Sequence, residues 1–139
     1  MTVTLDPGER FCGCGGRGHL ESIMGHRAMR KRFLDMEPEE VFAAAREGDI
    51  RCRDFVRLWH RAFAAATATS IHLDGPGHFY ITGPNARFVD QDLFDAYLDQ
   101  MVTMSPLQSN SFEMVPRNDE IAVIGAAVAA RVESGGNKV

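Results

Sequence analysis

The sequence predicts a mixed α/β domain in which helices pack around a small sheet. Three observations lead there. Short stretches rich in β-formers alternate with helix-period stripes, in the order strand, glycine-rich loop, three helices, strand, helix, strand, helix. An apolar fraction of 45% against 24% charged residues is that of a globular chain, and 139 residues suit one domain or part of one. The longest helical stripe carries a run of small residues, 64–69, which lets another backbone approach closely and sets that helix at the centre.

Residues 2–5 alternate polar and apolar and read as a short strand. Asp6-Pro7-Gly8-Glu9 is a turn, with Pro7 fixing φ and Gly8 supplying a left-handed position. The chain then enters the loop 11–21, Phe-Cys-Gly-Cys-Gly-Gly-Arg-Gly-His-Leu-Glu. Cys12 and Cys14 are separated by one residue, and His19 follows a glycine-rich run. Two thiolates and an imidazole so close together suit a zinc ion, and glycines allow the chain to wrap one. A flexible turn with incidental cysteines is the simpler alternative, but paired Cys with a nearby His argues for metal. A closed structural site needs a fourth ligand, for which water, Asp6, Glu9 and His26 are candidates.

Residues 20–34 read as one helix on the stripe Leu20, Ile23, Met24 and Ala28, with Arg27, Arg30, Lys31 and Arg32 toward its negative end. Pro38 opens a second, short helix that Gly48 stops. Asp49 or Ile50 begins the longest helix, to about Ile71, with Cys52, Phe55, Val56, Trp59, Phe63, Ala66 and Ser70 on one stripe. Cys52 belongs there to the core and is no ligand; His60 is exposed or satisfied locally. After the breaker 73–77, residues 78–82 form a strand running into Gly83-Pro84-Asn85, where either a plain tight turn or a nucleotide-binding turn can follow. Asp90 caps a helix to about Met104, and Pro106 ends the region. A strand at 112–115 follows, then a helix capped by Asn118 with the stripe Ile121, Ile124, Val128 and Val132. No internal repeat is present. The domain expected is 1–133, with 134–139 a polar tail, and Trp59, Phe63, Phe79, Ile81, Leu98 and Ile124 are expected in one core.

The net charge of −4 supports neither a nucleic-acid partner nor an anionic membrane surface. No apolar run approaches the ~20 residues of a membrane span. The first residues lack the basic and apolar regions of a secretory signal. Three cysteines, an odd number, argue against a disulfide framework and for a reducing cytoplasm.

The loop also resembles the zinc signature of the ROK family (repressors, open reading frames and sugar kinases), Cys-x-Cys-Gly-x-x-Gly-[Cys/His]-Leu-Glu. Cys12, Cys14, Gly15, Gly18, Leu20 and Glu21 match it, and His19 stands where most members carry a third Cys. The resemblance implies the C-terminal lobe of an actin/hexokinase-like (RNase H-like) fold, with a mixed sheet and packed helices. It implies a glucokinase-like, ATP-dependent sugar kinase of carbohydrate metabolism, or, as the alternative, a non-catalytic sugar-sensing module. It implies a structural zinc on Cys12, Cys14 and His19, sugar hydroxyls on Glu21, and a nucleotide near Gly83. A hexose or N-acetylhexosamine would be the ligand and a homo-oligomer the assembly. Gly83-Pro84 departs from the family's Gly-Gly, and proline offers no N–H to a phosphate. The family's Asp-x-Gly loop, catalytic Asp and Glu-x-Gly-His segment do not occur here. The resemblance therefore implies a chain cut just upstream of the zinc loop and inactive alone, with ATP and Mg²⁺ bound only in a complete member. A small zinc-stabilised interaction domain without sugar is the third possibility.

Overall fold

A computed structural model describes residues 1–6, 8–9, 12–103 and 110–135. The expectations that fall on Pro7, Phe11, Met104, Pro106 and residues 136–139 lie outside the described residues. The elements are α1 (Leu20–Met24), α2 (His26–Arg32), α3 (Pro38–Glu47), α4 (Ile50–Asp74), β1 (His78–Ile81), a 3₁₀ turn (Ala86–Phe88), α5 (Gln91–Met101), β2 (Ser111–Met114) and α6 (Asp119–Gly135).

The 25-residue α4 is the spine, and α1, α3 and α5 pack against it. Asp49 caps it: its side chain accepts from the Cys52 amide at 2.8 Å. Helix α3 begins as its sequence requires, with Pro38 in the first turn and a reciprocal capping box between Glu37 and Glu40. It ends at Gly48, the expected stop.

The apolar stripes meet in two clusters. Met29, Phe33, Val41, Phe42, Cys52, Phe55 and Trp59 join α2, α3 and the first half of α4. Ala64, Ala68, Ile71, Phe94 and Leu98 join its second half to α5. Phe63 packs on both clusters, and Phe79 and Phe112 cover the second from the strands. The small-residue half of α4 is central as expected, with Ala62, Ala64, Ala66 and Ala68 buried.

Strands β1 and β2 pair in parallel, with Phe79 opposite Phe112 and Tyr80 opposite Glu113. The His78 ring spans the pair, its Nδ1 2.5 Å from Ser111 Oγ and its Nε2 3.1 Å from Glu113 Oε2.

Several expectations are corrected. The strand at 2–5 reduces to one antiparallel bridge, Thr2 with His19. Gly8 is not among the glycines with positive φ; its amide is instead received by Asp6 Oδ1 at 2.8 Å. The helix expected over 20–34 breaks at Gly25, whose backbone is extended (φ −70°, ψ 141°), because glycine holds a helix weakly. Ile124 is 60% exposed, and every described side chain of α6 is exposed, so its stripe joins neither cluster. Ile81 is half-buried and lies outside both clusters. His60 is fully buried rather than exposed, and is satisfied locally by the Val56 carbonyl at 2.8 Å.

Candidate metal centre and ligand cleft

The loop 12–19 is pinned by its own backbone and by the N-terminal segment. The Cys12 amide donates to Gly16 O at 2.7 Å, and the Gly15 amide to Cys12 O at 3.0 Å. The Val3 amide donates to Gly18 O and the Leu20 amide to Met1 O. Gly18 sits at φ +66°, and a Cβ there would meet the Thr4 carbonyl oxygen at 2.0 Å. Only glycine satisfies both conditions.

Cys12, Cys14 and His19 come together as the spacing predicts. One ligand atom from each lies within 4.8 Å of the others, and Cys14 Sγ is 3.2 Å from His19 Nδ1. A Cβ on Gly16 would stand 2.4 Å from the His19 ring, so the glycine leaves the space in which the imidazole sits. The donor set, the closeness and the cradle fit a metal ion. Among the described residues no fourth ligand joins the three. Glu9 is instead buried against Arg32 in an ion pair, and Asp6 serves its own turn. His26 stacks on Phe88, and its Nε2 is buried without a hydrogen-bond partner.

The two thiols differ in acidity. The Cys14 amide favours a Cys12 thiolate, but Glu21 and the Cys14 thiol outweigh it and push the Cys12 thiol up. The Gly16 amide, with help from Cys12, pulls the Cys14 thiol down. Cys14 is thus the readier thiolate, and only the thiolate ligates. Cys52 is 1% exposed in the core, and burial pushes its thiol up to about 11.

Glu21 stands in the first turn of α1, exposed, and its Oε2 accepts from Cys12 Sγ at 3.1 Å. It lines a cleft of about 500 Å³ with Cys12, Gly13, Ser22, Gly25, Arg27 and Lys31. Here a carboxylate acceptor stands among cationic donors, a lining that suits a polyhydroxylated ligand.

Gly83 occupies a left-handed position (φ +109°) after β1 and lines none of the clefts described. Its turn is nevertheless joined to the metal loop through α1: Asn85 Nδ2 donates to Met24 O at 2.7 Å. That tether, the Glu9–Arg32 pair and the burial of His60 were not read from the sequence. An Asn after Gly-Pro signals a turn, but nothing local names a partner 61 residues away.

The ROK family model matches residues 2–132. A glucokinase from Pyrobaculum calidifontis is 31% identical over 129 residues, which cover 86% of this chain and 43% of that protein. A ROK hexokinase from Thermus thermophilus superposes with a TM-score of 0.71 at 23% identity, over 96% of this chain and 47% of the other. A ROK family transcriptional regulator, a homolog of the E. coli MLC protein, superposes at 0.58 and 22% identity, over 87% and 35%. These superpositions show an actin/hexokinase-like α/β fold. The chain spans less than half the length of each relative.

Proposed function

The chain belongs to the ROK family, and from that premise we propose that it is a lobe of a glucokinase-like, ATP-dependent carbohydrate kinase. Glu21 accepts hydrogen bonds from the hydroxyls of a hexose or N-acetylhexosamine. Cys12, Cys14 and His19 hold a structural zinc, which when bound ties the loop and fixes the start of α1. Gly83 lies beside the nucleotide. The free cysteines support a reducing cytoplasm as its compartment.

One observation carries the reading: the metal cluster and Glu21 share one short stretch of chain and one cleft, for His19 of the cluster is the cap position of α1 two residues before Glu21, and Cys12 and Glu21 line the same wall. The ion is remote from phosphoryl transfer in this scheme. Its loop orders a binding residue, and binding energy at the sugar is what positions a hydroxyl for attack.

Glu21 is the sole carboxylate among the cleft's described lining residues, and its task is to hold hydroxyls. The base must come within hydrogen-bond reach of the reacting proton, and the described lining of the cleft offers no second carboxylate for that task. The polypeptide 1–139 by itself therefore binds sugar without turning it over. The test is calorimetric titration with glucose and N-acetylmannosamine beside a coupled ADP-release assay. Saturable binding that is lost in Glu21→Ala supports the reading, and absence of binding by zinc-loaded protein refutes it.

A second reading, a sugar-binding regulatory module, is favoured by Pro84, which has no N–H for a phosphate in the turn after β1. Measured ATP affinity separates the two: a kinase lobe binds nucleotide and a regulator does not.

A further inference from the structure

A second cleft, of about 270 Å³, lies between α3, α4 and the start of α5 and shares no lining residue with the Glu21 cleft. We propose that it binds a small phosphomonoester through Arg46, Arg53 and Arg57. This goes beyond the kinase reading and does not depend on it.

The three guanidinium groups come from two helices to one opening. Arg53 and Arg57 are four apart on α4 and so share a face. Like charges at that spacing repel. Arg53 also stands in the first turn of α4, where the one acidic group at the helix end, Asp49, is engaged as the cap by the Cys52 amide. Arg30, Arg32, Arg51, Arg87 and Arg117 each meet a carboxylate. Among the described residues Arg46 and Arg53 meet none. Arg57 has a partner in Asp54 at 3.6 Å, but both side chains are more than half exposed, and such pairs contribute little. The cleft's own carboxylate, Asp90, is engaged as the cap of α5 by the Leu93 amide at 3.1 Å.

Three cations around one concave opening, two of them meeting no carboxylate among the described residues and the third only in an exposed pair, are arranged for an anion. Guanidinium groups favour phosphate over a diffuse negative surface, because the planar fork grips two oxygens at once. Phe42 and Phe88 line the same cleft and stack on each other, ring centroids 4.4 Å apart and planes within 8°. Their apolar surface takes the carbon skeleton of a compact ligand while the arginines take its phosphate. A sugar phosphate and a mononucleotide share this chemistry.

The test is an NMR titration of the full chain with glucose 6-phosphate and with AMP, beside glucose and adenosine as neutral counterparts. Either phosphomonoester is expected to shift the Val56 and Leu93 amides saturably, while the neutral counterparts leave them in place. Binding of glucose 6-phosphate alone names a sugar phosphate; binding of AMP alone names a nucleotide. The exposed pair Arg53→Gln with Arg57→Gln should weaken binding at least about tenfold, as loss of charge-assisted hydrogen bonds does. Arg53→Lys should fall between, because it keeps the charge and loses the fork. The proposal is overturned if neither phosphomonoester shifts those amides, or if the double variant binds like the parent. Sugar binding at Glu21 is read from other resonances, so either inference can fail without the other.

Discussion

His60 offers a test of how α4 and α5 are joined, because its protonation state is dictated by its partners. Its Nε2 accepts from the Asp90 backbone amide at 2.9 Å, so that nitrogen carries no proton. Its Nδ1 therefore bears the hydrogen and donates to the Val56 carbonyl at 2.8 Å. Protonating Nε2 would set an N–H against the Asp90 N–H, in a side chain with no exposed surface. Burial accordingly holds the His60 pKa below the ordinary 6.5, despite the Val56 carbonyl and Asp90. A depressed folded pKa means that the unfolded chain binds the proton first. The contribution of His60 to stability is full above about pH 6.5 and is lost as pH falls through that value toward the folded pKa. His60→Phe keeps an aromatic body and removes both the titration and the acceptor. It should cost about 1–3 kcal/mol near neutral pH, because the Asp90 amide loses its partner and the cap of α5 is disturbed. Urea unfolding of both proteins from about pH 8 down to about pH 5 is the assay. The parent should lose more stability than the variant below about pH 6.5, since the remaining histidines are common to both. Parallel pH profiles for the two proteins would refute the assigned tautomer and its buried role.

Other perturbations address the loop, the core and α6. Cys14→Ser should sharply lower the zinc content measured by metal analysis of protein purified without chelator, while Cys52→Ser, changing a buried thiol outside the cluster, should leave it intact. Trp59→Ala should cost roughly 3–5 kcal/mol in chemical denaturation, whereas Leu34→Ala, at an exposed side chain outside α6, should stay within about 0.5 kcal/mol, the range usual at the surface. Ile121, Ile124, Val128 and Val132 leave α6 with an exposed apolar face, and such faces drive association. Light scattering at micromolar concentration should report a species larger than one chain, and a clean monomer would count against that face being an interface.

Helix caps and stops, which depend on residues close in sequence, were legible in the sequence. Pro38 and Gly48 bracket α3, Asp49 caps α4 and Asp90 caps α5, each through groups within a few positions. The closeness of Cys12, Cys14 and His19 was legible for the same reason, since all three fall within 12–19. Periodicity also named the apolar face of each helix. It could not say whether a face meets a partner: Trp59 does, whereas Ile124 does not. Contacts between distant residues were invisible. The burial of His60 rests on Asp90, 30 residues on, and the burial of Glu9 rests on Arg32, 23 residues on. Gly25 breaks a stripe whose apolar spacing continues across it, because backbone conformation there overrides the side-chain pattern.

The proposed metal acts on sugar binding through α1, and removing it should show this. Helix α1 has five residues, too few to persist without support at its ends. One end is held by the loop, where Leu20 N bonds Met1 O and Ser22 Oγ donates to His19 O at 2.7 Å. The other is held by Asn85 on the Met24 carbonyl. His19 is both the cap position of α1 and a member of the metal cluster, and Glu21 lies two residues beyond it. Losing the ion frees the loop end, so Glu21 loses its fixed direction while the two core clusters, on which α1 packs only through Met24 at its other end, stay packed. Hydrogen bonds to a charged acceptor contribute about 1.5–3 kcal/mol, so the loss corresponds to roughly ten- to hundredfold in sugar affinity. Chelation with metal removal confirmed by analysis, followed by calorimetric titration with glucose and restoration with zinc, measures the effect. Sugar affinity that survives complete metal removal, with Glu21 still required, would show that the carboxylate is positioned without the ion and that the loop serves stability alone.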